Sequence, residues 1–472
     1  MEKLIGREAE KNELWRCYHS LRSEFVIIYG RRRIGKTFLV NRTFERQMAF
    51  VFTGSHKAPK VRQLELFSKA LMRYGNIPYQ LSFDNWYHAF DALEQMLEHR
   101  DTNGKKILFF DEMPWIDTYN SEFVSALEDF WNTWAALRDD IFLIASGSAT
   151  SWMVNNLVDN QGGLHNRITS SIYLKPFSLN ECEEYLREYG CPWDRYTITQ
   201  CYMCLGGVPF YYSLLDCHND LPSNIDMLFF RAKSKLMNEF NDLYNVLFSG
   251  AEHYVRLVRE LAKHHEGMTR QQLVAALGTD GGGLTRRLAN LENCDFVTHS
   301  NQFGNSKKGT IYRLCDFFTL FYLQFVEKAQ NHQEHYWRQR MGKSDVAVWQ
   351  GLTFELICMA HLSQIKQRLG IAGVLTSTSS WRGTGDDKAQ IDLVINRDDR
   401  YIHLCEMKFS NSQFSITKDY EQRLRDRMGA FRDQTRTNKT LFNTFVTTFG
   451  VKPGVHANIV DQQVTLDDLF AR

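Results

Sequence analysis

One stretch near the N-terminus combines glycines, a lysine and a threonine at the spacing that phosphate chemistry requires. Phe25 to Tyr29 form an apolar run rich in residues that favour β-strands, "GRRRIGKT" follows at residues 30–37, and an apolar helix start comes next. Glycines at both ends of the loop let backbone amides turn towards a phosphate, and the N-terminus of the helix adds partial positive charge. The stretch therefore predicts a phosphate-binding loop.

The strand–loop–helix order is that of a P-loop, which indicates ATP as the ligand. In this motif Lys36 reaches the β- and γ-phosphates and Thr37 binds Mg²⁺. A glycine-containing turn with a chance lysine is the alternative, and the strand and helix on either side argue against it. The predicted nucleotide contacts in the loop are Gly30, Arg31, Arg32, Arg33, Ile34, Gly35, Lys36 and Thr37.

Two carboxylates follow the apolar run Ile107 to Phe110. In a parallel α/β sheet, ligands bind at the carboxyl ends of the strands, which is where Asp111 and Glu112 would lie. We expect Asp111 to help hold the Mg²⁺ of the nucleotide, and Glu112 to orient or deprotonate the attacking water. Strands often end in acids, so this pair is informative only together with the P-loop.

Two further polar residues are predicted near the same edge of the sheet. Ser148 ends a third apolar run and is expected either to contact the γ-phosphate or the attacking water, or only to cap the following helix. Arg167 precedes a fourth apolar run, and its guanidinium can stabilise the negative charge that develops during phosphoryl transfer. An ordinary surface arginine is the alternative at this position.

The middle of the chain is predicted to be helical and then to form a small mixed module. Residues 178–250 have helical patterns, and residues 251–315 have the pattern of a winged helix, with three helices before a β-wing. On the third helix Arg286, Arg287 and Asn290 are candidate DNA contacts. Many such modules only pack against neighbouring domains, and this one has few basic residues.

A predicted hairpin near the C-terminus carries charge where side chains should be buried. "QIDLVINRDDRYIHLCEMKFS" (residues 390–410) reads as strand, turn and strand, and the second strand places Glu406 and Lys408 on one face. If the turn is centred on its two aspartates, Asp392 lies opposite Glu406 or the residue before it. Two carboxylates suit Mg²⁺ or Mn²⁺, and Lys408 can polarise a scissile phosphate, a combination typical of phosphodiester hydrolysis. A buried Glu–Lys ion pair at a strand end is the alternative.

Along nearly its whole length the chain resembles a prokaryotic, archaeal-type family of AAA/STAND P-loop ATPases with a C-terminal PD-(D/E)xK nuclease-like domain. The matching motifs are "IGRE" (5–8), "GRRRIGKT" (30–37), "FFDEMPWI" (109–116), "SGSATS" (146–151), "GGVPFYY" (206–212), "QIDLVI" (390–395) and "CEMKFS" (405–410). The resemblance implies that Arg167 is the basic residue after sensor 1 and that Pro209 belongs to an element that reads the nucleotide state.

For the C-terminal region the same resemblance implies a D…ExK core. Asp392, Glu406 and Lys408 match it, and Glu355 matches an accessory acid of the metal site. The residue before Asp392 is Ile391 where the family often has proline, a common variation. A following helical segment with a local excess of basic residues is expected to hold a DNA strand.

Composition excludes several classes. The chain has 472 residues, 43% of them hydrophobic, and a net charge of +1, so any nucleic-acid contact must be local. No apolar run approaches the length of a membrane span and no secretory signal is visible, which predicts a cytoplasmic protein without a membrane partner. Ten scattered cysteines fit reduced thiols. Cys201 and Cys204 have metal-type spacing, yet core packing is the better interpretation because a second such pair is missing.

These observations predict an α/β P-loop NTPase with helices on both faces of a parallel sheet, followed by helical and winged-helix segments and an α/β restriction-endonuclease-like domain. The expected division is 1–177 for the ATPase core, 178–250 for a helical lid, 251–320 for the winged helix and 321–472 for the nuclease-like domain. Two function classes remain open: a nucleotide-gated DNA nuclease, and a non-cutting ATP-dependent switch that binds DNA or protein. A homo-oligomer or a protein partner is compatible with either.

Overall fold

The computed structural model describes residues 3–45, 47–100, 104–148, 150–158, 164, 166–278, 281–304, 309–329, 335–383 and 389–472. The chain forms two compact units, Met1–Pro176 and Phe177–Arg472. The first boundary lies beside the predicted end of the ATPase core at residue 177. The finer division of the second unit into three domains stays a prediction.

The N-terminal unit contains a five-stranded sheet whose strands are all parallel. Its strands are β1 (Glu24–Tyr29), β2 (Met48–Thr53), β3 (Lys106–Asp111), β4 (Ile141–Gly147) and β5 (Ser170–Tyr173). The order across the sheet is β2-β3-β4-β1-β5. β4 therefore lies between the strand that enters the glycine-rich loop and the strand that ends in Asp111.

Helices cover both faces of this sheet. They are α1 (Glu8–Tyr18), α2 (Lys36–Thr43), α3 (Lys60–Gly75), α4 (Trp86–Glu98), α5 (Met113–Ile116), α6 (Phe123–Thr133) and α7 (Thr150–Met153), with a 3₁₀ turn at Ala135–Leu137 and a π-helical turn at Val154–Val158. Alternate residues of β1 point to opposite faces: Phe25 and Ile27 pack with α3, α4 and α6, whereas Val26 and Ile28 pack with α1 and α2. The predicted doubly covered parallel sheet is confirmed.

The second unit begins with short helices. They are α8 (Leu179–Glu188), α9 (Arg195–Leu205), α10 (Pro209–Tyr212), α11 (Leu221–Ile225), α12 (Glu239–Leu247) and α13 (Ala251–Ala262), with a π-helical turn at Asp226–Phe230. Capping explains several starts: the side chains of Ser178, Asp194 and Asp220 each accept a backbone N–H in the first turn of the helix they precede. Cys201 and Cys204 are buried on α9.

A small antiparallel sheet follows, in the order β6-β8-β7. The elements of this segment are β6 (Met268–Thr269), α14 (Arg270–Leu277), α15 (Gly281–Asn293), β7 (Val297–Ser300) and β8 (Ile311–Leu314). Thr269 caps α14 and forms a capping box with Gln272. The predicted β-wing includes residues 305–308, which lie outside the described residues.

The C-terminal part contains a mixed five-stranded sheet in the order β13-β12-β11-β10-β9. Its elements are α16 (Phe317–Phe321), a π-helical turn (Tyr322–Val326), α17 (Tyr336–Arg340), α18 (Ser344–Ala360), α19 (Leu362–Arg368), β9 (Thr376–Arg382), β10 (Gln390–Arg397), β11 (Tyr401–Lys408), α20 (Lys418–Thr435), β12 (Thr440–Thr447), a 3₁₀ turn (Val455–Ile459), β13 (Gln462–Thr465) and α21 (Leu466–Leu469). β9, β10 and β11 are antiparallel to one another, whereas β11, β12 and β13 are parallel.

Among the described residues, no single helix combines the length and the apolar composition needed to cross a membrane. α18 and α19 pass that test only as a pair, with a bend of 75° between them.

Candidate functional site

The loop after β1 is shaped by glycines that no other residue can replace without strain. Gly30 has φ of 145°, and a Cβ atom there would lie 2.4 Å from the carbonyl oxygen of Leu174. Gly35 has φ of 89° and precedes the first residue of α2. Ile34 anchors the loop in the core below β1. The backbone can therefore fold closely around a small anion, because no side chain fills these positions.

Lys36 is buried at the start of α2. Its ammonium group donates hydrogen bonds to the carbonyl oxygens of Gly30 and Arg31, at 2.9 and 3.0 Å, and lies 3.5 Å from the hydroxyl of Ser148. The lysine thus curls over the loop towards the end of β4. Of the loop arginines, Arg31 is buried, whereas Arg32 and Arg33 are half-buried.

The carboxylate of Asp111 accepts hydrogen bonds from three polar groups near the ends of neighbouring strands. The hydroxyl of Thr37 donates to its Oδ2 at 2.8 Å, and the hydroxyl of Ser146 and the backbone N–H of Glu112 donate to its Oδ1. Burial raises the pKa of Asp111 above its usual value, although the hydrogen bonds from Ser146 and Thr37 act in the opposite direction. A carboxylate beside a threonine hydroxyl is the donor set that Mg²⁺ prefers, so these two residues fit the metal of a nucleotide.

Glu112 has a strained backbone conformation, and its carboxylate is held by Ser148. Its φ of 48° and ψ of 50° are left-handed, which costs a non-glycine residue about 1–2 kcal/mol. The backbone N–H of Ser148 donates to Glu112 Oε2 at 3.1 Å, and the Ser148 hydroxyl donates to Oε1. Two roles were expected for Ser148, a contact with the γ-phosphate or the attacking water, or a helix cap. Neither anticipated this contact, which couples the Glu112 carboxylate to Lys36 through one hydroxyl.

Three residues that support Glu112 were missed by the sequence analysis. A Cβ atom on Gly54 would lie 2.6 Å from the carbonyl oxygen of Glu112, and one on Gly147 would lie 2.7 Å from Pro114. The buried amide of Gln63 donates to the carbonyl oxygens of Ser55 and Trp115, both at 2.7 Å. The glycines directly follow or end strands, which is a visible signal, whereas nothing local marks Gln63 as buried.

Arg167 lies on an exposed turn before β5. Its backbone N–H donates to the carbonyl of Leu164 at 3.0 Å, and its guanidinium makes no hydrogen bond or ion pair with another described residue. The structure does not bring this side chain to Asp111 or Glu112. Its role in phosphoryl transfer stays a prediction.

The C-terminal hairpin has the predicted register. The paired positions run from Leu393 with Cys405 to Asn396 with Ile402. Asp392 and Glu406 are the next residues beyond this ladder, where β10 also has a register irregularity against β9. β11 is parallel to β12 on its other side, and Glu406 is therefore inside the sheet. The printed ladder agrees with the predicted register of the hairpin, whereas the role of Asp392 and Glu406 as one site stays a prediction.

Glu406 is buried, and its carboxylate is surrounded by cationic and hydrogen-bond-donating side chains. Lys408 Nζ lies 2.8 Å from its Oε1, which also accepts the hydroxyl of Tyr420, and Arg427 pairs with Oε2. Burial works against ionisation of Glu406, but the charges of Arg427 and Lys408 outweigh it and lower the pKa to about 2. The ion-pair alternative weighed for this hairpin thus describes the contacts that Glu406 makes.

Asp392 is half-buried and is contacted from outside its own hairpin. Arg313 of β8 lies 3.3 Å from its Oδ1, which also accepts a hydrogen bond from Gln390 at 2.6 Å. Glu355 of α18 lies within electrostatic range of this group. Burial, helped by the charge of Asp392, raises the pKa of Glu355 to about 8.

As they stand, these carboxylates do not form a metal site. Within the ranges that the structure describes, no group of three or more His, Cys, Asp or Glu side chains is arranged to hold a metal ion. Asp392 and Glu406 instead have cationic partners, and Glu355 has the raised pKa of a carboxyl that keeps its proton at neutral pH. A metal at this site would have to replace those cations.

Two residues expected to face DNA are turned inwards. Asn290 donates to the hydroxyl of Tyr254 at 2.8 Å, whereas Arg286 on the same helix is exposed. On α20, Arg427 faces Glu406 and not solvent. The spacing of the buried residues Leu424 and Phe431 on α20 is a signal for that inward face, which the count of basic residues obscured.

Comparison with known proteins agrees with this geometry in the N-terminal unit. Residues 4–215 match a protein family described as an ATPase domain found predominantly in Archaea. The parallel sheet, the glycine-rich loop and the strand-end carboxylates of this region have the arrangement of a P-loop ATPase, which is the class of domain that the matched family describes. The match ends at residue 215, so the nuclease-like resemblance of the C-terminal region is not covered by it.

Two relatives extend over more of the chain. An uncharacterized protein of Methanocaldococcus jannaschii is 23% identical over 414 residues, which cover 86% of this chain and 88% of the relative. The solved structure of the Walker-type ATPase PABY2304 of Pyrococcus abyssi is similar in fold, with a TM-score of 0.50 and 17% identity, over 68% of this chain and 96% of that one.

Proposed function

We propose that the protein binds and hydrolyses ATP. The observation that carries this proposal is the convergence of Lys36, Thr37, Asp111 and Glu112 at the carboxyl edge of one parallel sheet. Lys36 and the loop amides bind the β- and γ-phosphates, and Glu112 orients the attacking water or accepts its proton. Thr37 and Asp111 would hold Mg²⁺, which when bound neutralises charge on the phosphates.

Ser148 has a defined part in this proposal. Its hydroxyl and backbone N–H each donate to one oxygen of Glu112, so loss of the hydroxyl contact would leave that oxygen free to accept the attacking water. The γ-phosphate is the ligand that can compete for the Ser148 hydroxyl, since it offers strong acceptor oxygens. Binding of ATP would thereby free Glu112 to accept a proton from the water that attacks the γ-phosphate.

The test is nucleotide binding by a lysine variant with a matched control. Lys36→Ala should lose stabilisation by Mg-ATP in a thermal-shift measurement and lose ATP hydrolysis, while keeping the unfolding transition of the nucleotide-free protein. Lys69→Ala changes an exposed lysine of α3 in the same unit and should behave as the wild type does. If Lys36→Ala is stabilised by ATP as strongly as the control, the nucleotide site is wrongly assigned.

A second candidate function concerns the C-terminal hairpin. We propose that the region around Asp392, Glu406 and Lys408 is a nuclease-like phosphodiesterase site for DNA, controlled by the nucleotide state of the ATPase. A strand-end carboxylate that lies 2.8 Å from a lysine two residues later supports this proposal. The competing proposal is a switch without cleavage, in which the same region only binds DNA or protein.

Cleavage separates the two proposals. Plasmid and single-stranded DNA are incubated with the wild type, Lys408→Ala and Lys36→Ala, in Mg²⁺ or Mn²⁺, with and without ATP. Lys418→Ala, at an exposed position on α20, is the control. Metal-dependent cleavage that Lys408→Ala abolishes supports the nuclease, whereas its absence in every condition supports the non-cutting switch.

The remaining assignments belong to the same proposal. ATP and DNA are the proposed partners, a homo-oligomer or a protein partner is compatible with both function classes, and the cytoplasm is the proposed compartment. Arg286 is the exposed basic residue of α15 that best suits a phosphate contact.

A further inference from the structure

The first helices of the second unit bring several cysteines together. Cys182 lies on α8, Cys201 and Cys204 lie on α9, and all three are buried. Cys191 follows α8 and Cys217 follows α10, and both are free cysteines. In the part of the chain that the structure describes, no group of three or more His, Cys, Asp or Glu side chains could hold a metal ion. The sulfur atoms of this group therefore suit redox chemistry better than zinc.

Two of these thiols are in contact and within reach of solvent. A side-chain hydrogen bond joins Cys191 to Cys217, and the backbone N–H of Trp193 also donates to the sulfur of Cys191. Cys191 is 6% exposed and Cys217 is partly exposed, whereas Cys201, near both, is fully buried. An oxidant from solvent therefore meets Cys217 first, with the sulfur of Cys191 next to it.

Hydrogen bonds fix the backbone on both sides of this contact. The N–H of Cys191 donates to the carbonyl oxygen of Leu186 at 2.8 Å, which closes the end of α8. The fully buried amide of Asn224 accepts the N–H of Asp216, beside Cys217, at 2.7 Å and donates to the carbonyl oxygen of Asp216 at 2.9 Å. The contact between the two thiols is thus built into the fold, and groups held in contact react with one another far faster than free groups do.

The surroundings of the two thiols give them different roles. Burial raises the pKa of Cys191 to about 12, although the hydrogen bond from Trp193 acts in the opposite direction. Cys191 therefore keeps its proton at neutral pH, and it is not the thiol that attacks an oxidant, because the thiolate is the nucleophile. The more exposed Cys217 is the attacking thiol, and Cys191 is the thiol that resolves the product.

We propose that Cys191 and Cys217 form a reversible disulfide, with a hydroperoxide as the oxidant. The sulfur of Cys217 attacks one peroxide oxygen and breaks the O–O bond, which gives a sulfenic acid and, with the thiol proton, water or an alcohol. The sulfur of Cys191 then attacks the sulfur of the sulfenic acid, and water leaves with the Cys191 proton as the S–S bond forms. Two electrons pass from the thiols to the peroxide, and a small thiol reverses the step by exchange.

The disulfide would close a loop that contains residues 206–208, the break between α9 and α10. At this break the N–H of Phe177 donates to the carbonyl oxygen of Gly207 at 2.6 Å, and a Cβ atom on Gly207 would lie 1.9 Å from the carbonyl oxygen of Phe177. Phe177 is the first residue of the second unit. Oxidation would therefore restrict local opening at the start of this unit, and it would do so whether or not the protein hydrolyses ATP.

Peptide mapping tests the pair directly. The folded full-length wild type is treated with a small excess of hydrogen peroxide, its free thiols are alkylated, and it is digested with trypsin and an endoproteinase that cleaves before aspartate. These cuts leave Cys191 in residues 188–193 and Cys217 in residues 216–219, apart from the cysteines of α9. The expected product is a disulfide between these two peptides that dithiothreitol removes. Absence of the linked peptide, or linkage of Cys217 to another cysteine, overturns the proposal.

Cys191→Ser and Cys201→Ser are the matched variants. In Cys191→Ser the sulfenic acid of Cys217 lacks its resolving thiol, so labelling of Cys217 by dimedone after peroxide treatment should exceed that of the wild type at least about fivefold. Cys201→Ser changes a fully buried thiol of the same group and should form the disulfide as the wild type does. Equal labelling in the wild type and Cys191→Ser would reject Cys191 as the resolving thiol.

Hydrogen exchange tests the consequence and needs only the wild type. Oxidation should slow exchange in residues 206–212 at least about threefold, and dithiothreitol should restore it, because the cross-link limits local opening. Residues 418–435 of α20 lie outside the closed loop and should exchange equally in both forms. Unchanged exchange in residues 206–212 of protein that carries the disulfide would overturn the control of the break.

Discussion

The two candidate sites use similar groups in different ways. Each combines a lysine with carboxylates at the end of a β-strand. At the N-terminal site Lys36 donates to two backbone carbonyls and lies 3.5 Å from a serine hydroxyl. At the C-terminal site Lys408 forms an ion pair with Glu406, and Glu406 forms a second ion pair with Arg427.

The partners of the two lysines therefore suit different ligands. The N-terminal site suits an anion, whereas at the C-terminal site the charged side chains are paired with one another. Carbonyl oxygens orient an ammonium group without cancelling its charge, so Lys36 can still bind phosphate. A carboxylate that is paired with two cations attracts a metal ion less strongly, because those cations already neutralise most of its negative charge. The C-terminal site therefore needs its ion pairs to rearrange before it can bind a metal.

The largest expected effect is on turnover at the N-terminal site. Glu112→Gln should still bind Mg-ATP, because the phosphate loop is intact, but should hydrolyse it about 10²–10⁴-fold more slowly, since an amide is a poor base. Single-turnover hydrolysis and a separate nucleotide-binding titration measure the two quantities. Glu122→Gln, at an exposed position before α6, is the control. Unchanged turnover in Glu112→Gln would give the role to another residue.

The N-terminal site was predictable because its chemistry is local. Gly30 to Thr37 are contiguous, and the carboxyl ends of parallel strands necessarily share one edge of the sheet, which brings Asp111 to Thr37. What sequence patterns did not provide is the Ser148–Glu112 contact. It depends on β4 lying beside β3, and on the left-handed turn at Glu112 that aims the carboxylate at that neighbour.

The C-terminal site was predictable only within its hairpin. The turn chemistry fixed the register of Asp392 and Glu406, but Arg313 and Arg427 come from a distant strand and a later helix. No periodicity relates such segments, because their pairing is decided by tertiary packing. The same holds for the fold of this region. The hairpin was predicted, whereas the bridge between Gln302, after β7, and Ser380 of β9 was not.

The second expected effect concerns stability at the C-terminal site. Arg427→Met should cost about 3–5 kcal/mol in the free energy of unfolding, because it leaves the buried carboxylate of Glu406 with one cation fewer. Arg425→Met removes an exposed partner of Glu421 on the same helix and should cost less than about 1 kcal/mol. Urea unfolding of both variants measures the difference. Equal costs would mean that Glu406 is not a tightly paired charge.

The third expected effect is a pH dependence carried by Glu355. Its pKa is raised from 4.5 to about 8, by burial first and then by Asp392, with Arg313 and Lys408 opposing. Between these two pH values the folded chain keeps a proton that the unfolded chain has released. Stability from this group is therefore present below pH 4.5 and is lost as the pH rises towards 8.

Glu355→Gln removes this titration. The free energy of unfolding of the wild type should fall relative to that of the variant as the pH rises from 5 to 8, by up to about 1.4 kcal/mol per pH unit. Urea unfolding at a series of pH values gives both curves. Parallel curves would show that Glu355 titrates normally, and the picture of a carboxyl kept neutral at the C-terminal site would be wrong.

The smallest expected effect is communication between the two sites. A nuclease-like site in the same chain as an ATPase is useful only if it is controlled, and a ligand shifts an equilibrium only when it binds the two states with different affinity. ATP and ADP should then give different hydrogen exchange in residues 390–440, by about fivefold, the lower end of ordinary allosteric coupling.

Two variants decide whether such a difference is coupling. Lys36→Ala should abolish it, because the nucleotide no longer binds, whereas Glu112→Gln should preserve the pattern of the ATP state, because ATP is bound and persists. If exchange is identical without nucleotide, with ADP and with ATP, the contrast between the two sites has no regulatory meaning, and the ion pairs at Asp392 and Glu406 are structural.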